Sequence, residues 1–184
     1  MGSARRFLAI LLVCLLPPSA SALQVQINIS TPFVYIQVGH GQFRRFGLLG
    51  PPAGLVDEVE FMLPAGVIPG SGTPVTGAPE IPVLLLGYSG GGQARFTVTM
   101  NSSVALNNGS GNTIPFNEIS WSTRDGDIPD GRFDGSAAQT LLTFNVGWPR
   151  GRGVIDFLTF SYDNDAVYAA GTYTGRVVYT IALF

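Results

Sequence analysis

The sequence predicts an all-β protein folded as an antiparallel β-sandwich. Short runs rich in β-branched and aromatic residues recur along the chain, separated by Gly, Pro and Asn turn clusters. No segment after the first 22 residues carries a 3.6-residue apolar period. The sequence closes on an unbroken strand-forming run, Val177 to Phe184, too apolar to sit in water unpaired. A membrane barrel fits less well, because its strands need a regular length of roughly nine or more residues and these are uneven.

Residues 1–22 read as a cleaved signal peptide. Arg5 and Arg6 form the positive end, and Phe7 to Leu16 is an apolar core too short to span a bilayer. Pro17 and Pro18 follow, then Ala20-Ser21-Ala22 as the cleavage site. Cys14 lies inside that core, so the exported part, 23–184, contains no cysteine and must rely on a full-sized core rather than disulfides. It is expected to be a single domain. It carries 8 Arg, no Lys and 12 acidic residues, which argues against nucleic acid as a partner. It has no second long apolar run, so no transmembrane helix is expected after processing.

In chain order, Leu23 to Ser30 alternates Leu23, Val25, Ile27 and Ile29 against polar residues, as a half-buried strand or one made to lie in another groove. Pro32 interrupts it and Phe33 to Val38 resumes, with Val34, Ile36 and Val38 on one side. Leu55 to Leu63 is the next expected strand, with Val59 and Phe61 inward and Glu58 and Glu60 outward. The Pro-rich stretch 64–82 is expected to cross from one sheet to the other. Val83 to Leu86 and Ala94 to Met100, joined through Gly90-Gly91-Gly92, read as a hairpin. Thr113 to Phe116 and Glu118 to Ser122 are short strands with Ile119 and Trp121 inward, and 123–138 is a polar loop. Gln139 to Val146 sets Leu142, Phe144 and Val146 opposite Leu141, Thr143 and Asn145. Val154 to Tyr162 is long and strongly β-prone, Val167-Tyr168 is brief, and the last strand follows.

Chemistry-bearing motifs are sparse. In the loop 125–131, Asp125, Asp127 and Asp130 come nearest to a calcium site, but Pro129 occupies the third alternate position and no Glu closes the set. A solvated loop with Asx turns is the plainer reading, and no metal or other cofactor is expected. His40 is the single histidine and sits between glycines, without neighbouring ligands. No Gly-x-Ser-x-Gly elbow is present, and Gly90-Gly91-Gly92 precedes no helix that could hold a phosphate. A carboxylate pair for glycoside hydrolysis leaves no local signature and stays open. Trp121, Trp148, Tyr88 and Tyr162 could line a sugar platform, but burial as core aromatics is the favoured reading.

Two stretches together resemble a known family. The alternating Leu23-Gln24-Val25-Gln26-Ile27-Asn28-Ile29 follows the signal, and Gly171-Thr172-Tyr173-Thr174-Gly175-Arg176-Val177-Val178-Tyr179-Thr180 is similar to the last strand of chaperone–usher pilins and spore-coat-U-type subunits. The resemblance covers about 25 residues, and the missing cysteines and the Pro-rich middle depart from it. It implies an immunoglobulin-like sandwich lacking its final strand, filled first by a periplasmic chaperone and then by the leading segment of the next subunit. Val25, Ile27 and Ile29 would then be the donor residues. Val177, Tyr179, Ile181 and Leu183 would border the groove. The expected function is a non-enzymatic structural or adhesive subunit of a bacterial surface fimbria, exported to the periplasm, cell surface or exterior, with related subunits or copies of itself as partners. The alternatives are a self-contained secreted binding module, for example for carbohydrate, and a hydrolase.

Overall fold

The computed structural model describes residues 32–39, 58–147 and 151–184. The expected signal peptide, the expected donor residues Val25, Ile27 and Ile29, and His40 and Trp148 lie outside them. The described strands are β1 (Phe33–Val38), β2 (Val75–Thr76), β3 (Ile81–Tyr88), β4 (Gln93–Asn101), β5 (Leu106–Asn107), β6 (Thr113–Ile114), β7 (Ile119–Thr123), β8 (Gly131–Arg132), β9 (Gln139–Gly147), β10 (Arg152–Tyr162) and β11 (Val178–Leu183). One sheet runs β1-β3-β10-β7-β8 with β2 paired to β10; a second runs β11-β4-β9; β5 and β6 form a small ribbon. Every strand pair is antiparallel.

The two larger sheets bury one core. Period-2 alternation sends Ile81, Val83 and Leu85 of β3, Phe96, Val98 and Met100 of β4, and Val154, Leu158 and Phe160 of β10 inward. Phe96 stacks on Phe144 at 5.2 Å, and Phe133 on Phe160 at 5.9 Å. Two glycines permit close approach. A Cβ at Gly87 would press on the Phe96 ring at 2.9 Å, and one at Gly131 would collide with the buried indole of Trp121.

Four local expectations are corrected. β3 and β4 are not a hairpin: β3 pairs with β1 and β10, β4 with β11 and β9. Both strands bury an apolar face, and those faces gain more by packing against each other across the core than by edge pairing. Leu55 to Leu63 is not a strand within the described residues. It touches the sheet through one bridge, Glu60 to Ala78, while Val59 and Phe61 pack on the core. The Pro-rich stretch does not change sheets; β2 inside it and β3 after it belong to the same one. Asn164 anchors this stretch. Its amide donates to the carbonyls of Ile68 and Thr73 and to Ser71 Oγ, and its Oδ1 accepts the Gly70 N–H. The fourth correction is in β9, where Leu141 and Leu142 both point inward. The β4–β9 register shifts between Val98 and Thr99, and the bulge leaves Leu141 without a partner while turning it to the core.

Candidate functional site

The open flank formed by β1 and β11 is the most distinctive surface. Among the described strands, β1 ends the larger sheet and β11 the smaller, and the two approach each other across the sandwich. Register decides which main-chain groups face outward. Arg95 and Phe184 exchange both of their hydrogen bonds, at 3.0 and 2.9 Å. By antiparallel alternation Ala182, Thr180 and Val178 also turn their N–H and C=O groups to β4, and Tyr179, Ile181 and Leu183 turn theirs to the open side. On β1 the Gly39 N–H donates to the Pro82 carbonyl at 2.8 Å, so Val34, Ile36 and Val38 present the outward groups.

The same residues supply the apolar lining. Val34, Ile36 and Val38 from one side, and Val177, Tyr179 and Ile181 from the other, are partly buried against the core. Leu183 is 39 % exposed. The expected groove-edge set is therefore brought together on one strand edge, except that Val177 precedes β11 and Leu183 is the least covered of the four. Burial raises the Tyr179 phenol well above its ordinary value, so its hydroxyl stays neutral at ordinary pH. Ladder groups that bond to no described strand, set beside partly covered apolar side chains, can accept an extended strand through main-chain bonds and alternate-residue contacts.

The acidic loop has a different organisation from a metal site. Asp130 Oδ1 accepts from Thr123 N at 2.7 Å and Thr123 Oγ1 at 3.0 Å, and so closes the loop onto β7. No group of three or more His, Cys, Asp or Glu among the described residues is placed to hold a metal ion. The loop is held by Asp156, a residue that sequence reading missed. This carboxylate is fully buried on the core side of β10. It accepts N–H donors from Phe157 at 2.8 Å, Ile128 at 2.9 Å and Asp125 at 3.0 Å. Burial works to raise its pKa, but the N–H groups of Asp125, Ile128, Phe157 and Asp127 outweigh that and hold it below 3.8. Ile128 is thereby drawn fully into the core from a loop that reads as polar. The only hint in the sequence was an acid on the inward parity of an otherwise apolar strand.

A second polar cluster closes one end of the sandwich. Arg132 Nη2 lies 2.7 Å from Asp163 Oδ2, close enough for an ion pair but poorly aligned for a hydrogen bond. Ser120 Oγ donates to Asp163 Oδ1, and Tyr168 donates to Glu118 at 3.1 Å. Burial, with that hydrogen bond and the Glu118 charge, pushes the Tyr168 phenol up to about 12. Arg132 offsets the charge of Asp163, and Glu118 takes the Tyr168 hydroxyl as its hydrogen-bond donor. Of the aromatic platform residues, Trp121 is buried with its Nε1–H on the Pro129 carbonyl, Tyr162 packs beside Phe61, and Tyr88 stacks on Phe33 at 5.7 Å. Trp121 and Tyr162 share the inward face of β7 and β10, and Tyr88 has the outward parity of β3, so the three form no common exposed platform. Arg124 lies over the Phe157 ring and pairs with Glu80. No helix among the described residues is long and apolar enough to cross a membrane. Compared with protein-family models, curated proteins and solved structures, the chain matches none.

Proposed function

We propose that this chain is an exported structural or adhesive subunit that assembles with copies of itself or related subunits by β-strand addition at the β1–β11 flank. The carrying observation is the pair of facing sheet edges whose outward main-chain groups belong to the residues with inward apolar side chains. Strand order supports an immunoglobulin-like plan. With β1, β3, β4, β7, β10 and β11 read as A to F, β1-β3-β10-β7 is the A-B-E-D sheet and β11-β4 is F-C. The place beside F, which strand G takes in that plan, is filled by no described strand. β9 follows D in the chain and pairs with C, an addition to the plan.

The segment Leu23 to Ser30 has the pattern such an edge takes. Val25, Ile27 and Ile29 would enter the flank, each contributing roughly 1.5–3 kcal/mol when fully buried. The resemblance to fimbrial subunits supports a periplasmic chaperone as the first occupant and a surface polymer as the product.

The test is deletion of Leu23 to Ser30. The expected product is a folded monomer that no longer forms SDS-resistant polymers and that binds an added Leu23–Ser30 peptide. A deletion that unfolds the domain makes the segment an internal strand and refutes strand donation.

A further inference from the structure

The smaller sheet has a second edge, on the opposite side from β11. β9 pairs with β4 alone, and no described strand covers its outer side. Alternation again identifies the free groups. Because Arg95, Thr97 and Thr99 of β4 bond to β11, it is Ala94, Phe96 and Val98 that bond to β9, at Val146, Phe144 and Leu142. Thr143, Asn145 and Gly147 therefore turn their N–H and C=O groups outward.

Sheet edges are normally blunted by brevity, charge, proline or a bulge. β8, the corresponding edge of the larger sheet, has two residues, and its Arg132 is ion-paired. β9 has nine residues, Gln-Thr-Leu-Leu-Thr-Phe-Asn-Val-Gly, with no charge and no proline. Its single irregularity is the bulge at Leu141. The Gln139 side chain is held by the Asp134 N–H and the Arg132 carbonyl, so the start of β9 is tied down. The regular part beyond the bulge is covered by no described strand.

We infer that β9 is a self-association edge, at which a second copy of this chain pairs antiparallel about a two-fold axis through Asn145. The argument for a second copy is self-complementarity. The longest register clear of the bulge sets Asn145 against Asn145 of the other copy and Thr143 against Gly147, giving about six main-chain hydrogen bonds. Asn suits the axis, because its amide both donates and accepts and two copies satisfy each other. Asn145 and Thr143 are exposed, so neither must leave the core to take part. Among the described residues, the nearest charge on that face of the sheet is Arg95, directly opposite Asn145 on β4. Across the joined edges the two Arg95 positions stand three strand spacings apart, about 14 Å, beyond the Debye length at physiological salt. Arg152 lies on the inter-sheet side, 5.8 Å over the Phe144 ring. The contact is one strand wide, so the expected dimer is weak and reversible.

The inference stands apart from strand donation at β11, since the two edges lie on opposite sides of β4. It is tested by single cysteines in a Cys14→Ser background. Under mild oxidation Asn145→Cys is expected to form a disulfide-linked dimer at least about tenfold faster than Thr99→Cys, which lies on the same face but in the central strand. In a sample that also polymerises through β11, the disulfide still joins chains in pairs. Thr143→Pro removes one outward N–H per copy together with the exposed hydroxyl contact to Thr97, and is expected to weaken self-association about tenfold in sedimentation equilibrium while leaving the circular dichroism unchanged. Should that variant fail to fold, Asn145→Lys, which keeps every ladder bond of the monomer, is expected to abolish the dimer. Equal cross-linking at 145 and 99, or a concentration-independent monomer mass for the Cys14→Ser protein, overturns the inference.

Discussion

Replacing Asp156 tests the argument about how the polar loop is held. Its Oδ1 accepts from Asp125 and Phe157 and its Oδ2 from Ile128, all within 3.0 Å, at a site with no solvent exposure. Asp156→Ala orphans three donors. An unsatisfied buried donor costs about 1–3 kcal/mol. Ile128 N–H is fully buried and the other two partly, so the expected loss is about 3–5 kcal/mol, a large share of a typical stability of about 5–15 kcal/mol. Asp156→Asn keeps one acceptor oxygen but sets an NH2 against an N–H, and should lose about 2–3 kcal/mol. Urea unfolding followed by tryptophan fluorescence is suited to this, because Trp121 is bonded to the loop at Pro129. The pH dependence gives a second arm. The folded pKa lies below the ordinary 3.8, so the charged form's contribution is present above that value and is lost as pH falls through the folded pKa. The gap between native protein and Asp156→Asn should therefore narrow on acidification below about 4. A cost under about 0.5 kcal/mol for both variants, or a gap that does not change with pH, would refute the clamp.

Two further predictions follow from single residues. Asn164 holds φ at 55° and gathers the loop around 68–73, so Asn164→Ala should cost about 2–4 kcal/mol and open that loop to proteolysis and hydrogen exchange, with Asn164→Gly recovering only the backbone share. The raised pKa of Tyr179 means that its contribution is intact below about pH 10 and is lost as pH rises through the folded value, so the alkaline unfolding midpoint should move to higher pH in Tyr179→Phe; an unchanged alkaline midpoint would count against burial of the phenol.

Strand positions were largely legible because a strand's pattern is local. Two-residue alternation in Val154–Tyr162 and Val177–Leu183 states which side chains turn inward without reference to any partner. That is why Tyr179 and Ile181 could be named as inward residues of an edge. Their outward main-chain groups were not legible, since these depend on whether Arg95 or Ala94 bonds to β11, a matter of register with a strand some eighty residues away. The same holds for Asp156. An acid on an apolar face reads as a defect until the loop 125–128 folds over it and supplies the donors.

What the amino-acid sequence determined by itself was the all-β character, the approximate bounds of the long strands and the absence of a compact catalytic motif, all set by neighbours along the chain. Tertiary structure alone decided that β3 and β4 part to different sheets, that Leu141 joins Leu142 in the core, that Ile128 and Phe133 leave a polar loop for the interior, and that β1, β11 and β9 each pair on one side only among the described strands. Those outcomes balance apolar area buried between distant segments against local pairing, and that balance is settled only when the sheets meet.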